Sequence, residues 1–138
     1  MPITTALCNS WKAEALRGVH GEADTYMIAL YTSAATLNKS TTAYTATDEV
    51  SGAGYDAGGK VLSGYSVALT GDVGHLSFTD PVWPASSIAA AGCLIYNASK
   101  SNAAVGVFSF GQTVTSTNGD FTVNLPTPGA STSLVRIA

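Results

Sequence analysis

The chain has 138 residues with a formal charge of −3, six Lys and Arg against nine Asp and Glu. So few basic side chains exclude a groove that neutralises a nucleic-acid backbone, and a 46% hydrophobic content excludes intrinsic disorder. Only 11% of residues are charged, less than half the ordinary fraction of about 25%, so the surface must be built largely from hydroxyls and small side chains.

Residues 4–17 are expected to form an N-terminal helix. Thr4 or Thr5 can cap the first turn, and Leu7, Trp11 and Ala15 recur at four-residue spacing with Cys8 alongside. Arg17 suits the negative end of the helix dipole, and Gly18 can take the left-handed closing conformation. Residues 25–32 then read as a strand apolar on both faces, with Tyr26, Ile28 and Leu30 alternating with Met27, Ala29 and Tyr31. Residues 33–59, rich in Ser, Thr, Ala and Gly, read as a long polar loop or extended arm. Loops of that length are usually functional or ordered by a partner.

From residue 61 to 69 the apolar positions alternate, with Val61, Tyr65, Val67 and Leu69 on one side. A Gly71-Asp72 turn leads into residues 75–78, where Leu76 and Phe78 share a face. Asp80-Pro-Val-Trp-Pro84 reads as a rigid bend, because proline cannot donate to a strand ladder. Residues 93–96 and 104–110 form a hairpin around Asn97-Ala-Ser-Lys-Ser-Asn102. Phe121, Val123 and Leu125 alternate in a further strand, Pro126-Thr-Pro-Gly129 turns, and residues 134–137 make the last strand. The expected fold is therefore all-β, a jelly roll or β-sandwich of about seven or eight antiparallel strands. It is read as one domain over 1–138, with the helix at 4–17, the sandwich core over 24–138 and the arm at 33–59.

Gly64-Tyr-Ser-Val-Ala68 approaches a hydrolase nucleophile elbow, but Ser66 sits in an alternating strand rather than a strand-to-helix turn. Gly52-Ala-Gly54 lacks both the spacing and the βαβ unit of a dinucleotide loop. His20 and His75 have no evident ligand partners, and Asp48, Glu49, Asp72, Asp80 and Asp120 fall at turns or loop positions where carboxylates are solvated. Cys8 and Cys93, far apart in sequence, match neither a disulfide framework nor a zinc pattern and are expected as buried free thiols. The sequons at Asn38 and Asn97 carry no expected role. No catalytic residue, cofactor site or metal site is expected. Trp11, Trp83 and the six tyrosines Tyr26, Tyr31, Tyr44, Tyr55, Tyr65 and Tyr96 suit either core and interface anchors or a glycan-binding platform.

No apolar run nears the roughly 20 residues of a membrane span. The start, Met1-Pro-Ile-Thr-Thr5, has neither the basic nor the apolar region of a signal peptide, so synthesis in a cytoplasm is expected.

Several segments together carry a family resemblance: Met1-Pro-Ile-Thr-Thr-Ala6, Ser10-Trp-Lys-Ala-Glu14, Tyr26-Met-Ile-Ala-Leu-Tyr-Thr-Ser33 and Tyr44-Thr-Ala-Thr-Asp-Glu-Val-Ser-Gly-Ala-Gly-Tyr55. They continue through Ala57-Gly-Gly-Lys60, Leu94-Ile-Tyr-Asn97, Ser116-Thr-Asn-Gly-Asp-Phe-Thr-Val123 and Val135-Arg-Ile-Ala138. Over nearly its whole length the chain resembles small structural proteins of tailed bacteriophages, in particular the capsid cement or decoration proteins of short-tailed phages. The resemblance implies a non-enzymatic virion protein made in the host cytoplasm and bound to the outer capsid surface. Its partners are then the major capsid protein and further copies of itself, as dimer or trimer. The expected interface residues are Trp11, Tyr44, Val50, Tyr55 and Trp83, with residues 33–59 and the N-terminal segment as bridging elements. A glycan-binding attachment module and a tail or neck component are the alternatives.

Overall fold

The computed structural model describes residues 3–125 and 135–137. The fold is all-β with one α-helix near the N-terminus. Its strands are β1 (Ala6–Leu7), β2 (Tyr26–Tyr31), β3 (Lys60–Val61), β4 (Ser66–Thr70), β5 (Val73–Ser77), β6 (Val82–Ser86), β7 (Ala89–Asn97), β8 (Ala103–Thr115), β9 (Gly119–Thr122) and β10 (Val135–Ile137). The helix α1 covers Asn9–Leu16. A five-stranded sheet in the order β1-β8-β7-β2-β3 is joined by a three-stranded sheet β10-β5-β4 and a two-stranded sheet β6-β9, and every strand ladder is antiparallel.

β2 is apolar on both faces and buried on both, as its sequence predicts. Ile28, Ala29, Leu30 and Tyr31 are inaccessible to solvent, and each such large aliphatic side chain contributes about 1.5–3 kcal/mol of burial. β7 pairs with β2 over its full six residues and with β8 on its other side, so these three strands form the spine. The aromatic rings knit the smaller sheets to that spine. Tyr26 stacks on Tyr65 at 5.4 Å and touches Phe78 at 5.6 Å, while Trp83 meets Tyr55 at 6.0 Å and Phe121 at 6.3 Å.

The helix is shorter than expected. Residues 6–7 pair with β8 instead, and the Thr5 hydroxyl accepts the Ser109 amide at 2.9 Å rather than capping a helix. Cys8 is the N-cap and contributes no side-chain bond. Gly18 does take the left-handed conformation, with φ +73°. The expected strand 61–69 is split, because Gly64 at φ +72° turns the chain from β3 into β4. The expected bend around Pro84 is instead strand β6. Its register shifts between Trp83 and Ser86, so the proline sits in the irregularity where no ladder donor is needed. The Pro126 turn lies outside the described residues.

Residues 33–59 are not an arm reaching away from the body. They lie along the outer edge of β2, which β3 covers only at Met27 and Ile28. The Thr32 amide donates to the Asp48 carbonyl at 3.0 Å, the Val50 amide to the Leu30 carbonyl at 2.9 Å, and the Leu30 amide to the Tyr55 hydroxyl at 2.9 Å. Ala35, Leu37, Val50 and Tyr55 are buried in consequence. An edge strand must have its backbone groups satisfied or hidden, and this loop does both. Gly59 marks the closest approach: at φ +84°, a β-carbon there would lie 1.8 Å from the Ile28 carbonyl oxygen.

Candidate interaction surface

Most of the expected interface residues are turned into the molecule, while Trp11, though buried, also lines two hollows of the surface. Trp11, Val50, Tyr55 and Trp83 are buried and Tyr44 is half-buried. Each has a structural duty. Trp83 lies under the Lys60 ammonium, 5.5 Å from its ring centroid, and Lys60 also donates to the Val82 carbonyl. Tyr44 stacks on Tyr96 at 4.9 Å. Aromatic residues suit cores and interfaces equally, and nothing in their spacing separates the two. Tyr26, Tyr31 and Tyr96 are buried as well, and Tyr65 is half-buried.

Glu49 organises the folded loop. Its Oε1 accepts the Tyr44 hydroxyl at 2.6 Å, and its Oε2 accepts the Tyr55 hydroxyl at 2.5 Å and the Gly58 amide at 2.8 Å. Burial, and then the hydrogen bond to Glu49, push both phenols above their ordinary value, so they stay protonated donors. The arrangement is a clamp.

A second polar chain joins the helix to the sheet. Asn97, fully buried, accepts the Ser99 amide on Oδ1 at 3.0 Å, so its Nδ2 faces His20 Nδ1 at 3.0 Å and Asp24 Oδ2 at 2.9 Å. Asp24 can only accept, so both Nδ2 protons are donated, His20 Nδ1 accepts, and the His20 Nε2–H donates to Glu14 at 2.9 Å. Lys100 closes the chain on Asp24 at 3.0 Å. The Asn97 sequon is thereby consumed by the fold. The Asn97 hydrogen bond, then the Gly21 amide and Lys100, hold the Asp24 carboxyl down to about 2.

The remaining chemical candidates are dispersed over the fold. His75 is buried with Nε2 2.9 Å from the Thr70 hydroxyl, and Ser66 lies opposite Ser77 on an exposed strand. Cys8 and Cys93 are buried free thiols, as expected, and burial raises them to about 11 and about 12. Among the described residues no group of His, Cys, Asp and Glu is placed to hold a metal ion, and no helix is long and apolar enough to cross a membrane.

What the surface does offer is apolar. Leu16 is 91% exposed, Leu69 74%, Val67 62% and Val61 57%. Leu16 borders a hollow of about 320 Å³ with Leu7, Trp11, Ala15 and the two cations Lys12 and Arg136. Trp11 is shared with a second hollow of about 190 Å³, where Tyr65, Val67, Leu76 and Val135 form the walls. The two make one apolar surface running from α1 to the β4–β5 hairpin. Sequence reasoning passed over Leu16, Val67 and Leu69. The available signal was the run from Val61 to Gly71, eleven residues without a charge.

No family model matches the chain, and comparison with curated proteins and with solved structures finds no match.

Proposed function

We propose that this chain is a structural virion protein that binds the outer surface of a phage capsid and reinforces it by bridging major capsid subunits. The observation that carries this reading is the apolar surface around Leu16, Trp11 and Val67, fringed by Lys12 and Arg136, on a chain whose buried side-chain polar atoms, Ser10 Oγ apart, are spent on its own fold among the described residues. Such a surface gains from burial against a protein. The sequence resemblance to phage cement proteins supplies the partner. A lattice presents the same site many times, so a modest contact made on two neighbouring subunits binds through effective concentration. Binding to the assembled shell alone then stabilises that shell by linkage. Because residues 33–59 are folded onto β2, the bridging role falls to the exposed face of α1 and the β4–β5 hairpin.

The test is the copy number in purified virions, read by quantitative mass spectrometry, together with binding of the purified chain to mature capsids. Hundreds of copies per particle and loss of capsid binding by Leu16→Glu support the reading. A handful of copies would move the chain to the tail or neck. Full capsid binding by Leu16→Glu would remove the proposed face. Hits on a glycan array, with no capsid binding, would replace the reading by attachment.

A further inference from the structure

β4 is an open edge that carries none of the usual protections. Among the described residues it pairs with β5 alone, all five of its residues are exposed, and it contains neither a charge nor a proline. Edge strands in stable monomers are normally blunted by one of these devices. The contrast with β2, whose outer edge is closed by a folded loop, is internal to this protein.

The backbone of β4 has a definite outward pattern. Thr70 and Val73 flank the two-residue turn at Gly71 and Asp72, and the closing pair of such a hairpin exchanges both its hydrogen bonds. By alternation Ser66, Ala68 and Thr70 face β5, while the N–H and C=O groups of Val67 and Leu69 face the open side. Neither residue has a further backbone partner among the described residues. These two residues also carry the exposed apolar side chains of the strand.

The sequence of β4 reads nearly the same from both ends: hydroxyl, apolar, small, apolar, hydroxyl in Ser66-Val-Ala-Leu-Thr70. We infer that β4 is a homodimerisation edge, pairing antiparallel with β4 of a second copy about a two-fold axis at Ala68. In that register Val67 faces Leu69 of the second copy and Leu69 faces its Val67. Both are hydrogen-bonded pairs, so all the outward groups are satisfied. Ser66 faces Thr70, hydroxyl against hydroxyl, and Ala68 faces Ala68. The nearest charge in sequence, Asp72, falls opposite Gly64 of the second copy, and β4 itself carries none, so no like charges meet across the new ladder. Sliding the register by two residues one way sets Val67 opposite Gly71, and sliding it the other way sets Leu69 opposite Tyr65, whose ring is already stacked on Tyr26. The symmetry is isologous, as closed dimers require. The inference concerns the free protein and does not depend on the capsid reading.

Sedimentation equilibrium over a wide concentration range reads the dimer, and a single cysteine reads its register. Val67→Pro deletes an outward N–H without touching the β4–β5 ladder, and should weaken the dimer at least about tenfold. Leu69→Lys, which leaves the backbone intact, should do the same, and it decides the matter should the proline variant lose its β circular-dichroism spectrum. Ala68→Cys places two thiols in a non-hydrogen-bonded pair with Cα atoms about 4.5 Å apart, inside disulfide range. Mild oxidation should therefore link it quantitatively, while Thr70→Cys should not link. Native Cys8 and Cys93 are fully buried and stay silent. A wild-type chain monomeric throughout, a dimer undisturbed by Leu69→Lys, or equal linking at 68 and 70 each overturns the inference.

Discussion

Tyr55 and Glu49 meet hydroxyl to carboxylate at 2.5 Å, and this contact inside the loop 33–59 sets the Tyr55 hydroxyl against the edge of β2. The same hydroxyl accepts the buried Leu30 amide at 2.9 Å. Tyr55→Phe keeps the ring against Trp83 but strands that amide. Glu49 Oε2 keeps the Gly58 amide, so most of the cost falls on Leu30, about 1–3 kcal/mol for an unsatisfied buried donor. Urea unfolding should show a lower midpoint with an unchanged slope. Wild-type stability in Tyr55→Phe would mean that the Leu30 amide finds another acceptor.

The close approach at Gly59 makes a sharper demand. Its φ of +84° and the 1.8 Å separation expected between an added β-carbon and the Ile28 carbonyl oxygen act together. Gly59→Ala should cost more than about 3 kcal/mol, combining backbone strain with steric overlap. Gly18→Ala isolates the first effect, since φ is +73° there but the space is open; about 1 kcal/mol is expected. Thermal melts of the two variants should differ accordingly, and equal melting temperatures would refute the steric account.

The all-β class, β2 and the β7–β8 hairpin were legible because apolar alternation and turn residues act over a few neighbours. β6 was not, because whether Pro84 breaks a strand depends on the bulge that β9 allows opposite it. Residues 33–59 read as an arm for a related reason. Their composition is that of a loop, and only the incomplete edge of β2 makes them an ordered cover. The aromatic residues were legible as important but not as interior. Conversely, the exposure of Val67 and Leu69 follows from tertiary placement, since β4 has a partner on one edge and solvent on its others.

The two thiols should be inert in the native protein. Cys8 and Cys93 are inaccessible, and burial raises them to about 11 and about 12, so the reactive thiolate is scarce at neutral pH. Ellman's reagent should titrate neither at pH 8 without denaturant and both in guanidinium chloride. Rapid native labelling of Cys8, whose neighbours include the Ala6–Leu7 pairing with β8, would indicate local opening of the N-terminal strand rather than of the core.

Acid should loosen the junction between the helix and the sheet through Asp24. Its carboxyl is held at about 2 against an ordinary 3.8 by Asn97, the Gly21 amide and Lys100. A depressed carboxyl contributes stability that is fully present above its unfolded value and is lost as pH falls through the folded one. The loss therefore runs from about pH 4 down to about pH 2, the window set by those two values. Asp24→Asn removes the titrating group and with it this part of the acid limb, at the expense of lower stability near pH 7, where the ionised carboxylate binds Lys100 and Asn97. Urea midpoints measured at intervals from pH 7 to pH 2 should show the wild-type and Asp24→Asn curves converging as the pH falls. Parallel curves across that window would mean that Asp24 is solvated alike in the folded and unfolded chain.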